Sequence, residues 1–244
     1  MFVFGSGVLI GTPQGGTPIN FGLAQEISLT VATSTKALYG QYNFPVAIGS
    51  GTRKMTGKAK LARISGQALG SLFFGVAPSV GGTQTQFGEA ASVPSSSPYA
   101  YTTSLHTTFV ADQGVVYAAS ALPLKQVASN PTTGQYSVSA GAYTFAAGDA
   151  GAAVLISYTY TVAASGESIA VASALIGPSI TFSANLFASD PTTGKQFSVL
   201  LYNCVADKLA FGTKLEDFMV PELDFACFAN AAGQVCQLNF GDAA

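Results

Sequence analysis

The sequence holds one histidine, His106, in the stretch YTTSLHTTF, so any serine, histidine and acid triad would have to use it. No G-x-S-x-G turn presents a nucleophilic serine, and a single histidine among Ser and Thr reads as a surface or hydrogen-bonding residue. The stretch GSGVLIG, Gly5–Gly11, has the glycine density of a phosphate loop but lacks the Gly-Lys-Ser/Thr ending and does not fit G-x-G-x-x-G, so it reads as a flexible arm. Cys204, Cys227 and Cys236 are odd in number and lack C-x-x-C spacing. They read as buried thiols, with Cys227 and Cys236 the pair placed to approach across a hairpin. Neither H-E-x-x-H nor a calcium-loop pattern occurs. The expectation is a chain with no catalytic residues, no cofactor and no metal site, and therefore not an enzyme.

Charge placement says more. Five of the ten basic residues, Arg53, Lys54, Lys58, Lys60 and Arg63, fall within eleven positions, and four of the twelve acids, Glu216, Asp217, Glu222 and Asp224, within nine. Lys54, Thr56, Lys58 and Lys60 alternate with Met55, Gly57, Ala59 and Leu61, which in a strand puts a lysine row on one face. Two readings stay open: a solvated hairpin and a solvated acidic loop, or basic and acidic patches on different faces that meet between identical subunits. Head-to-tail contacts of the second kind give rings or filaments. Exposed pairs contribute only about 0–1 kcal/mol each, so charge would set register and apolar burial would supply most of the stability. On that reading, reversing Lys58 and Lys60 blocks stacking and spares the subunit fold.

The elements that must carry these residues are mostly strands. Ile27, Leu29 and Val31, then Val154 through Val162, then Ile180, Phe182, Ala184 and Leu186 all alternate with polar residues at period two. Glycine and proline punctuate them at short intervals, predicting antiparallel hairpins in a mainly β fold, a sandwich or barrel. One helix is predicted over about 65–75, with Ser65 as cap, Ala68, Leu69, Leu72 and Phe73 as the apolar stripe, and Gly75 as its end. The polar, proline-rich run from Thr85 to Pro98 reads as a linker or long loop. Residues 85–170 are accordingly expected to form a β-rich insertion in a core made by residues 1–84 and 171–244. The related stretches ASNPTTGQYSV and ASDPTTGKQFSV, beginning at Ala128 and Ala188, read as one hairpin turn used twice rather than a duplicated domain.

Only 9% of the 244 residues are charged, against roughly 25% in an ordinary domain. That deficit favours a subunit whose surface is hidden in an assembly. The formal charge of −2 argues against free nucleic acid as the main partner. No run is apolar enough to predict a membrane span, since Ile169–Ala188 is broken by Ser, Thr, Asn and Pro. The amino terminus reads as a poor signal peptide.

The stretches TVATSTKALYGQYNFPVAIGSGTRKMTGKAKLARISGQALGSLFFG, GQYSVSAGAYTFAAGDAGAAVLISYTYT and GKQFSVLLYNCVADKLAFGTKLEDFMVPELDFACFANAAGQVCQLNF together resemble tail tube (major tail) proteins of long-tailed bacteriophages. The resemblance implies a β-sandwich or barrel core with a flanking helix, hexameric rings stacked into a tube, and DNA passing through the lumen without specific binding. Partners would be further copies and the initiator, terminator and tape-measure proteins of the tail. The location would be the virion tail, after a soluble stage in the host cytoplasm. In that setting residues 1–22 are expected to be mobile in the monomer and to order on stacking. Other readings are an adhesin using the tyrosine-rich segment Tyr143–Tyr160, or a tail completion or capsid decoration protein forming one ring.

Overall fold

The period-two stretches form fifteen strands among the described residues. The computed structural model describes residues 5, 7–63, 65–173, 176 and 179–241. In chain order come β1 (Val8–Pro13), β2 (Ile19–Asn20), β3 (Leu23–Tyr39) and β4 (Pro45–Arg63), followed by α1 (Gly66–Ala68). Then follow β5 (Ser79–Ser92), β6 (Ala100–Thr102), β7 (Phe109–Tyr117), β8 (Lys125–Gln126), β9 (Gln135–Ser139), β10 (Ala142–Phe145) and β11 (Ala153–Ser168). The chain closes with β12 (Thr181–Ser189), β13 (Gln196–Ala210), β14 (Glu222–Phe228) and β15 (Cys236–Phe240). The protein is mainly β with antiparallel sheets and one short helix, consistent with a β-sandwich; a two-residue parallel pairing of β8 with β9 is the exception. The chain divides into two compact units, Met1–Pro78 with Ile169–Ala244, and Ser79–Ser168.

The first unit is an eight-stranded sheet in the order β2-β1-β12-β13-β14-β4-β3, with β15 also paired to β13. Its core gathers Leu9, Phe21, Leu61, Leu72, Phe182, Leu201 and Phe225. Two of these correct the expectation of a mobile arm over residues 1–22 and at Gly5–Gly11: Val8–Pro13 pairs along β12, Leu9 is 1% exposed and Phe21 likewise. Burying those side chains holds the described part of the segment in the core. Residues 1–4 and 6 lie outside the described residues.

The helix starts where expected. The Ser65 hydroxyl accepts from the Ala68 N–H at 3.1 Å, and Gly75, at φ 65°, ends it in the left-handed region that glycine tolerates. Only Gly66–Ala68 is α-helical, however, and Leu69–Phe74 is a π-turn. The wider turn still buries Ala68 and Leu72 in the core.

Along β4 the predicted alternation appears as burial, with Met55, Gly57, Ala59 and Leu61 inward and Thr56, Lys58 and Lys60 outward. Gly57 faces Phe225 across β14, and the Phe225 ring fills the space where a Cβ at Gly57 would sit. Gly57→Ala should therefore lower the stability of the chain by about 1–3 kcal/mol, the usual cost of overpacking a dense core. Urea unfolding followed by circular dichroism measures it; an unchanged midpoint would show that the ring has room to move.

The second unit holds two sheets, β5-β11-β7 and β6-β10-β9-β8, around a core of Val93, Val115, Tyr136, Tyr143, Val154, Ile156 and Tyr158. The expected linker from Thr85 is corrected here: residues 85–92 belong to β5, paired with β11 from Thr85↔Thr159 to Ser92↔Ala153. Its polar residues fit because much of the strand is only partly covered.

The twin turns differ as well. Asp190 is buried, and its Oδ1 accepts from the N–H groups of Thr192 (2.8 Å) and Thr193 (3.1 Å), closing the antiparallel β12–β13 hairpin. Asn130 instead takes φ 50°. In that turn the Thr132 N–H bonds to Gln135 Oε1 at 3.1 Å, and the Gly134 N–H bonds to the Asp149 carboxylate at 3.0 Å. The first copy joins parallel β8 and β9. One sequence pattern thus serves two different connections.

Candidate functional site

The charged residues singled out above divide into two sets. β14 pairs with β4 so that Glu222 lies opposite Lys60 and Asp224 opposite Lys58, while β3 places Glu26 opposite Lys60 on the other side. The Lys58 Nζ reaches Glu222 Oε2 at 3.0 Å, and the Lys60 Nζ reaches Glu26 Oε2 at 2.6 Å. The hydrogen bond to Glu222 raises the Lys58 pKa above its ordinary value and lowers that of Glu222. Lys208 sits opposite Asp224 on β13. This corrects the picture of basic and acidic patches on different faces: Lys58, Lys60, Glu222 and Asp224 form one mixed-charge lattice, because the strands that carry them are neighbours. Reversing Lys58 and Lys60 would set like charges against Glu222 and Glu26, so that substitution no longer spares the subunit.

The second set is exposed and has no intrachain ion pair among the described residues. Arg53 and Lys54 lie on β4 just beyond the last β14 pairing, Cys227↔Met55. Glu216 and Asp217 occupy the loop between β13 and β14, flanked by Leu215 at 94% and Phe218 at 91% exposure. Arg63 ends β4 opposite Leu23.

Past Met55, among the described residues, β3 and β4 pair only with each other, from Ala32↔Lys54 to Tyr39↔Pro45. Seven residue steps make a two-stranded ribbon roughly 25 Å long at about 3.4 Å per residue. Apart from Pro45, every residue from 30 to 54 is exposed. The ribbon carries Leu38, Tyr39, Tyr42, Phe44, Val46 and Ile48, all at least 63% exposed. Two strands alone are marginal in water, and both outer edges of this ribbon leave backbone donors and acceptors without a neighbour strand.

In the second unit, the structure uses tyrosine internally. Asp112 Oδ2 accepts from the Tyr136 hydroxyl at 2.5 Å and Asp112 Oδ1 from the Tyr143 hydroxyl at 2.7 Å. Glu89 accepts from the Tyr101 and Tyr158 hydroxyls and from the N–H and hydroxyl of Ser104. Tyr117 donates to Asp149 at 2.6 Å. Tyr143 and Tyr158 are fully buried, which removes them from the contact surface expected of an adhesin over Tyr143–Tyr160. The acid partners of these tyrosines come from other elements, Glu89 from β5, Asp112 from β7 and Asp149 from a short 3-10 turn, and had no sequence signal.

These bonds set a pH dependence. Burial raises the Glu89 pKa, but hydrogen bonds from Tyr158, Ser104 and Tyr101 outweigh it and leave the carboxyl below its ordinary value. That stabilisation is present above the unfolded value and is lost as pH falls through the folded one. The bond to Asp149, with burial, pushes Tyr117 up to about 12 from 10.0. Its contribution is complete below 10 and is lost as pH rises toward about 12. Thermal unfolding across pH should show the chain losing stability at both ends, with Tyr117→Phe reducing the alkaline loss and leaving the acid loss intact. An alkaline limb unchanged in Tyr117→Phe would contradict the assignment.

His106 is exposed, and its Nδ1 lies 3.0 Å from the Thr103 carbonyl, which requires the proton on that nitrogen. Among the thiols, Cys204 and Cys227 are the facing pair, Sγ to Sγ 3.6 Å, rather than Cys227 and Cys236. The register explains the difference: β15 pairs with an earlier part of β13, where Cys236 meets Leu201. Among the described residues, no helix is long and apolar enough to cross a membrane.

No known protein-family model matches the chain, and no curated protein matches it.

Proposed function

We propose that the chain is a structural subunit of a phage tail tube, closing into rings, hexameric as the resemblance implies, that stack into a hollow conduit for DNA ejection. The observation that carries this reading is the β3–β4 ribbon. Exposed apolar side chains on a two-stranded extension with unpaired edges are an aggregation hazard in a free monomer. They become an asset when neighbouring copies cover them, and a closed ring of strands leaves no edge exposed. The low charge content supports the same reading, since a surface hidden between copies needs few charges. DNA would pass the lumen without specific binding, and the initiator, terminator and tape-measure proteins would be the other partners.

Sedimentation velocity over a concentration series tests the proposal. The reading expects species that grow beyond a single ring. A plateau at one ring would make the chain a completion or decoration protein, and a monomer at every concentration with glycan affinity would make it an adhesin.

A further inference from the structure

The two charge pairs that make no intrachain ion pair among the described residues, Arg53 with Lys54 and Glu216 with Asp217, sit at opposite ends of one strand. β14 begins at Glu222, directly after the loop that bears Leu215, Glu216, Asp217 and Phe218, and ends at Phe228. Six residue steps separate those ends, roughly 20 Å at about 3.4 Å per residue. At the far end lies a groove of about 500 Å³ whose lining includes Met55, Phe228, Val235, Arg53 and Lys54. No acid lines it. The loop stays at the near end, where Asp217 and Phe218 border a separate recess with Lys60 and Glu222.

The groove offers an apolar lining beside two cations. The loop offers two exposed apolar side chains on either side of two anions, in the order Leu, Glu, Asp, Phe. We infer that residues 215–218 of one copy seat in the Arg53/Lys54 groove of a second copy, with Phe218 on the apolar lining and Glu216 and Asp217 against the cations. This contact rests on the self-assembly reading and names the surfaces that would join. Because loop and groove occupy opposite ends of a strand, a first contact leaves one loop and one groove free on the pair. Filled by further copies, these free surfaces extend the association head to tail into a ring or an open stack; only two copies seating loops in each other's grooves would close a two-fold dimer. Desolvating the charge pairs against an apolar lining strengthens them relative to exposed pairs.

Two charge-reversed proteins test it, one carrying Arg53→Glu with Lys54→Glu and the other Glu216→Lys with Asp217→Lys. All four positions are exposed, so the far-ultraviolet circular dichroism of each variant should match that of the parent. Each variant alone brings like charges together, and the concentration for half-assembly in sedimentation should rise at least about tenfold at low salt. An equimolar mixture should regain parental assembly, because each variant's loop then complements the other's groove. Parental assembly by either variant alone, or a mixture no better than its components, overturns the loop-in-groove contact and leaves the wider assembly reading standing. A parent chain that never associates overturns both.

Discussion

Replacing Tyr42, Phe44 and Ile48 together with serine is expected to abolish self-assembly while leaving the subunit folded. The three side chains are 72%, 83% and 66% exposed, so the monomer loses little by their removal; exposed substitutions usually stay within about 0.5 kcal/mol. In the assembly each is expected to be covered. Burying such a side chain contributes about 1.5–3 kcal/mol, and three together about 4.5–9 kcal/mol on the same scale. At about 1.4 kcal/mol per tenfold change, the association constant should fall at least about a thousandfold. Sedimentation shows the loss, and circular dichroism with urea unfolding shows that the subunit is intact. Assembly at the parental concentration would mean that the ribbon is solvated for some other reason.

The largest effect on folding is expected at Asp112. Its carboxylate accepts from two tyrosines, one 2% and the other 0% exposed. Asp112→Ala strands both hydroxyls in a core, each at a cost of about 1–3 kcal/mol, for a total of about 2–6 kcal/mol. Tyrosine fluorescence reports mainly on this region, since the chain has no tryptophan and seven of its ten tyrosines, at 99, 101, 117, 136, 143, 158 and 160, lie in the inserted unit. Urea unfolding should move to lower concentration by that signal. Adding Tyr136→Phe and Tyr143→Phe to Asp112→Ala should recover much of the loss, because removing both partners of a buried bond costs far less than removing one. A triple variant no more stable than Asp112→Ala would place the cost in lost packing instead.

What the sequence made legible was local. The alternation through KMTGKAKLA fixes which side chains of β4 point inward, and the Ser65 hydroxyl and Gly75 mark the ends of the helical segment, because each signal acts over a few residues. The misreadings share one cause, pairing between distant segments. Leu9 is a core residue only because β1 lies along β12, some 180 residues away. Thr85–Ser92 is a strand because β11 supplies its partner; on its own the run has the composition of a loop. Glu222 and Glu26 neutralise Lys58 and Lys60 through the registers of β14 and β3, which no charge count reveals. The same limit hid Asp112 and Glu89 as acceptors for buried tyrosines. The clearest candidate surface was half visible: Arg53, Lys54, Glu216 and Asp217 stood out as clusters, but only the fold separates them from Lys58, Lys60 and Glu222, which form ion pairs within the chain.

Electron microscopy of the purified chain, stained after raising its concentration stepwise, tests the central claim most directly. The account predicts hollow tubes with regular cross-striations, each striation one ring of subunits. Particles that stay single and compact at every concentration would contradict it.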